Sequence, residues 1–212
     1  MSFPFSEIHS FLPWSVGIPA FAICLRTCIT LPIAIASKRR RERLLQIHSL
    51  LTSKRNQLVS KDAIKQEKRR LYSEFRCSPW PLLLLPMAQI PCFAYATLKL
   101  RRLVRMAPSS MTTEGAFWFQ NLLEPDPTGL LTVSLGLAYM TNAAIVHRRQ
   151  QFSGLSKGTF IASILSSFAM IYVASLSPSA MTLYWSTSAL YSTIQNALLY
   201  RNDTPSEPAK DK

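Results

Sequence analysis

Acidic residues are missing from most of this chain. No Asp or Glu lies between Ile8 and Arg41, between Phe75 and Thr113, or between Pro127 and Asn202. Yet the 212 residues are 48% hydrophobic and carry a formal net charge of +13. A soluble domain with so much apolar mass needs charge on every side. Here apolar and basic stretches alternate along the chain instead, which is the signature of membrane spans. Glycine is scarce too, six in all, and no glycine-rich phosphate cradle is present. His9, His48 and His147 fall at edges or in loops, away from any nucleophile or metal set, so no catalytic residue, metal or cofactor is expected. Of the four cysteines, Cys24 and Cys92 lie inside apolar runs, Cys28 follows Cys24 by one helical turn, and Cys77 stands alone. That spacing suits neither zinc nor a disulfide framework and reads as packing. No Lys or Arg precedes Arg26, so the N-terminus is neither a secretory signal nor an Arg-rich transit peptide. Import information is either internal or carried by a leader that this sequence lacks.

What the chain does contain is five apolar runs: Phe11–Ala36, Trp80–Leu98, Leu130–Val146, Phe160–Leu176 and Ala180–Tyr200. Crossing ~30 Å of hydrocarbon takes roughly 20 helical residues. The third and fourth runs hold 17 residues each, short enough to suit a thinned bilayer. Only helices satisfy their own backbone in an open-ended span, so the fold class is all-α: a polytopic membrane protein with five transmembrane helices. Pro13, Pro19, Pro32, Pro86 and Pro91 are then kinks or lie near ends.

Residues 37–78 hold thirteen Lys and Arg against four Asp and Glu. A basic domain that binds nucleic acid would not be stitched between two apolar runs. Juxtamembrane charge facing anionic headgroups accounts for it better, so the lipid bilayer is a partner and nucleic acid is not. Leu44, Ile47 and Leu51 recur at helical spacing, as do Ile64, Leu71 and Phe75, with a polar stretch at 52–60 between them. A helical hairpin over residues 38–76 is expected. The third loop is basic as well, whereas the second loop is nearly balanced. By the positive-inside rule the hairpin, the third loop and the C-terminus share one side and the N-terminus lies opposite. The domain reading is therefore 1–10 as a short N-terminal segment, 11–200 as the five-helix domain, and 201–212 as a disordered polar tail.

Arg26 sits inside the first run, ten residues before Ala36. An Arg near the bilayer centre costs about 2.5–3.5 kcal/mol or more, and none of the five runs holds a carboxylate. It can snorkel, bond to carbonyls and hydroxyls of its own bundle, or face a water-filled cavity; the cavity is the preferred reading. The fifth run supports a polar interior with Tyr184, Trp185, Ser186, Gln195 and Asn196, the third with Thr141 and Asn142, the second with Gln89. Singly each is ordinary interhelical hydrogen bonding. Around Arg26 they outline a groove. The lack of intramembrane carboxylates argues against a proton-coupled pump.

Several short motifs occur in one order along the runs. They are Arg26 with Leu31-Pro32 before the basic hairpin, Cys77-Ser78-Pro79, Gln89-Ile90-Pro91, Gly115 to Leu122 followed by Pro125-Asp126-Pro127, then Leu183-Tyr184-Trp185 and Gln195-Asn196. In these residues the chain resembles the insertase family of bacteria, chloroplasts and mitochondria, over roughly Trp14 to Arg201. The spacing of Arg26 and Pro32 and the short tail are most similar to its mitochondrial cytochrome-oxidase assembly branch. The resemblance implies a five-helix insertase core with a matrix-side hairpin in the mitochondrial inner membrane, N-terminus in the intermembrane space and C-terminus in the matrix. It implies client membrane proteins, cytochrome c oxidase subunit 2 foremost, with accessory assembly proteins as further partners. The C-terminal domain of that subunit would be exported through the groove. Arg26 matches the groove arginine and Trp185 the aromatic of the fifth-helix wall. No enzyme activity and no cofactor is implied. Two other classes stay open: a small solute or anion channel, and a structural tether acting through the hairpin.

Overall fold

A computed structural model describes residues 11–54, 61–74, 87, 89–150, 156–199 and 201. The expected N-terminal segment 1–10, the Cys77-Ser78-Pro79 motif, the start of the second run and most of the polar tail lie outside the described residues. Helix α1 (Trp14–Leu25) passes through a π-helical turn, Arg26–Thr30, into α2 (Leu31–Lys54). Then follow α3 (Lys61–Glu74), α4 (Gln89–Arg105), a 3-10 turn (Ser109–Thr112), α5 (Leu130–Gln150), α6 (Ser156–Ser175) and α7 (Ser179–Leu199). Among the described residues there is no strand, only an isolated bridge between Ala116 and Phe119.

Three stretches depart from the expected boundaries. Helical structure does not stop near Ala36 but runs on to Lys54. Pro32 cannot end it. A missing amide at that position removes one bond, to the carbonyl of Cys28, and the backbone answers with the widened turn at Arg26–Thr30. Nor does α4 end at Leu98. Leu100 and Leu103 are buried and continue the packed face, so Lys99, Arg101, Arg102 and Arg105 belong to its last turns rather than to a loop. There their charge complements the negative end of the helix dipole. Helix α5, at 21 residues, is likewise longer than its apolar run. At 1.5 Å per residue it reaches about 31 Å. By length and composition alone, Trp14–Arg40 and Leu130–His147 are apolar enough to cross a membrane.

The described residues form two compact units, one from Cys28 to Phe93 and the other from the segments before and after it. In the former, α2 and α3 pack through buried Ile47 and Leu71, with Leu51 and Tyr72 against them. In the latter, α7 is the centre, packed on α1, α5 and α6. At Gly136 a Cβ would come within 2.7 Å of the Ile171 side chain, so glycine lets α5 and α6 approach closely.

The segment between α4 and α5 closes one end of this bundle. Three helix N-termini meet it, each bringing orphan amides. The Glu114 carboxylate accepts from the Trp14 amide (3.1 Å) and its carbonyl from the Ser15 amide. The carbonyls of Glu124 and Leu122 accept from the amides of Ser179 and Ala180 at the start of α7. The Asp126 carboxylate accepts from the amides of Thr128 and Leu131, capping α5. The carboxylates of Glu114 and Asp126 are thus helix caps at positive dipole ends. Helices α1, α5 and α7 must therefore start at the same end, and α4 and α6 finish there.

Candidate functional site: an arginine among hydroxyls

Arg26 opens the π turn that follows α1 and is half-buried. Its Nε donates to Ser188 Oγ of α7 at 2.7 Å. The next residue repeats the link. Thr27 Oγ1 donates to the Ile23 carbonyl (2.8 Å) and lies 2.9 Å from the Tyr191 hydroxyl. With the threonine proton so committed, the tyrosine donates to it. Ser188 and Tyr191, three apart, share a face of α7, as helical spacing requires. Tyr184, Tyr139 and Tyr191 lie within electrostatic reach of the guanidinium. A guanidinium cannot be deprotonated in a protein, so neutral oxygens leave Arg26 carrying its full charge.

The expected groove residues separate into groups. Tyr184 is 1% exposed and Trp185 5%. The indole of Trp185 donates to Thr97 Oγ1 of α4 at 3.3 Å, so it ties α7 to α4. Ser186 is buried and donates to the Leu131 carbonyl at 3.0 Å. Asn196 Nδ2 donates to Asn142 Oδ1 at 2.7 Å. Thr193, between them, donates to the Ala138 carbonyl at 2.9 Å. The sequence offsets of these three bonds are 55, 55 and 54, so α5 and α7 run parallel with a fixed register along a polar seam. Gln195 is half-buried and Thr141 exposed. Gln89 begins α4 in the other compact unit, half-buried.

Sequence reasoning passed over Thr27 and Tyr139 and did not single out Ser188 and Tyr191. The adjacency of Thr27 to Arg26 and the three-residue spacing of Ser188 and Tyr191 were the available signals.

Burial changes along α7. From Ser179 to Ala189 every residue but the half-buried Thr187 is buried; from Leu190 to Leu199 none is. Arg26 bonds at the last buried turn, where the packed end of the bundle gives way to the open end.

Outside the spans, one carboxylate is tuned by its surroundings. Burial pushes the Asp126 pKa up, but hydrogen bonds from Leu131, Thr128 and the Trp118 side chain outweigh this and hold it below the ordinary value.

Among known proteins, the profile of the family described as "60Kd inner membrane protein" matches residues 5–207. The chain is 41% identical, over 91% of its length and 95% of the relative's, to the mitochondrial cytochrome c oxidase assembly protein cox18 of Schizosaccharomyces pombe. It is 28% identical to the human cytochrome c oxidase assembly protein COX18, over 89% of this chain and 65% of that protein. To the mitochondrial inner membrane protein oxa1-1 of Schizosaccharomyces pombe it is 25% identical, over 91% of this chain and 54% of that one.

Proposed function

The chain belongs to the 60Kd inner membrane protein family, and from that membership we propose that it is an insertase of the mitochondrial inner membrane serving cytochrome c oxidase assembly. The C-terminal domain of oxidase subunit 2 is its leading client, carried from the matrix to the intermembrane space. Supporting this are the roles of its relatives, oxidase assembly and residence in the inner membrane.

The observation that carries the mechanism is a charged Arg26 held by Ser188 at the edge of the packed half of α7. A hydrated cation in a low-dielectric wall attracts acidic and polar groups. A polar client segment enters beside Tyr191 and Gln195, where α7 is half-exposed, and its apolar neighbour stays in lipid. Partial hydration of the path lowers the barrier, so no nucleotide is consumed at this protein. The α5–α7 seam through Ser186, Thr193 and Asn196 keeps the wall in place while the client passes.

Arg26 variants test the mechanism in mitochondria lacking the native protein, read as protease accessibility of the client domain from the intermembrane side. Losing ~1.4 kcal/mol of attraction slows export about tenfold in R26A; R26E is worse and R26K retains most activity. Unchanged export in R26A and R26E removes Arg26 from the mechanism.

A further inference from the structure

Between the caps of α1 and α5 the chain makes a tight hairpin that the groove does not use. Ala116 and Phe119 exchange backbone hydrogen bonds at 3.1 and 3.0 Å, and the Gly115 amide donates to the Gln120 carbonyl. Gly115 is obligatory here, since a Cβ would stand 2.0 Å from the Phe119 carbonyl oxygen. At the tip, Phe117 adopts a left-handed φ of 52°, costly for a bulky residue. The Gln120 side chain locks it by donating to the Phe117 carbonyl at 3.0 Å.

This constrained turn holds two aromatic rings outward. Phe117 is 84% exposed and Trp118 41%, while Phe119 is buried beneath them. Trp118 rests edge-on against Phe119, with centroids 5.5 Å apart. Its side chain also lies within reach of the Asp126 carboxylate that caps α5, which sets the ring near the level where α5 begins. Below that level α5 presents Leu130, Val133 and Leu137, all exposed. Spaced three and four apart, they form one apolar stripe on the helix. No charged residue lies between Glu114 and Glu124.

We propose that the Phe117–Trp118 hairpin is a membrane anchor, seated in the headgroup–acyl boundary of the leaflet at the N-terminal ends of α1, α5 and α7. The lipid interface is the fitting occupant for three reasons. The indole has the Asp126 carboxylate within reach on the protein side while the ring is exposed, as amphipathic aromatics are at membrane interfaces. The tip is uncharged. The exposed rings lead on to the apolar stripe of a membrane-crossing helix. A soluble protein partner would be met by the same rings only if they stood in water. Because the hairpin is fixed to all three caps, its seat sets the depth of the bundle, including Arg26, twelve residues or about 18 Å beyond Trp14.

The full chain in phosphatidylcholine vesicles tests this through tryptophan fluorescence, with spin labels placed at the top or the bottom of the acyl chain and iodide in the water. The wild-type signal minus that of W118F reports Trp118. The F117W variant, which leaves the Asp126 latch intact, reports the tip if W118F fails to fold. Quenching of both positions chiefly by the label at the top of the chain, with iodide ineffective, supports the anchor. Quenching by iodide and not by lipid labels overturns it and leaves the hairpin to a soluble partner. Quenching by neither, which means the rings are covered by protein, overturns it as well.

Discussion

The two halves of α7 are both rich in hydroxyls and opposite in use. Ser179–Ala189 and Leu190–Leu199 each set hydroxyls among apolar residues, and the second half adds the amides of Gln195 and Asn196. In the first half the hydroxyls are consumed by neighbouring carbonyls: Ser179 donates to Glu124, Thr182 to Ala174 and Ser186 to Leu131. In the second half Tyr191, Ser192, Gln195 and Asn196 are half-buried, and only part of their polar capacity goes into the α5 seam. A polar residue in a span is therefore no sign of a groove until its packing is known. Arg26 stands at the border, bonded to the last buried serine.

Substitutions break this comparison unequally. The largest effect belongs to the packed half, where Tyr184→Ala empties a fully buried site and costs about 3–5 kcal/mol. Unfolding in detergent micelles reads this loss, and Tyr191→Ala in the open half costs less than half as much. Next comes Gly115→Ala, whose new methyl group collides with backbone and not with a yielding side chain. About 1–3 kcal/mol is expected from such overpacking, seen as a lower unfolding midpoint. Smaller again is the seam: a double-mutant cycle on Asn142 and Asn196 yields a coupling of about 0.6–1.7 kcal/mol, the range for hydrogen bonds within membranes. A coupling near zero would detach those amides from the bundle and return them to the open face.

The smallest effect is on pH. The folded pKa of Asp126 is depressed, so its contribution to stability is fully present above the unfolded value near 3.8 and is lost as pH falls through the folded one. Acidification through that window therefore loosens the start of α5 in the wild type. Asp126→Asn abolishes that part of the pH dependence, as amide exchange at Leu131 would record.

Much of the architecture could be read from hydrophobic runs, because helices crossing lipid have few alternatives. The starts of α5 and α7 fell within a residue of the apolar runs. The end of α4 did not, because Leu100 and Leu103 are interleaved with cations that mask the packed face. The run of α2 past Ala36 was hidden by the cations that begin at Lys38, which end the apolar run but not the helix. Arg26 stood out as a charge in an apolar run, and that signal is purely local. Ser188, Thr27 and Tyr139 did not stand out. Their role depends on how α1 and α5 meet α7, and a lone hydroxyl carries no mark of its neighbour. The caps supplied by Glu114 and Asp126 were hidden for the same reason: in sequence they only balance a loop.

Photo-crosslinking along α7 to newly made mitochondrial membrane proteins tests the central claim most directly. A photoreactive residue at position 191 or 195 should capture the translocating client, and one at position 182 in the packed half should capture none. Equal capture at 182 and 191, or capture at neither open position, would contradict a client path along the open half of α7 beside Arg26.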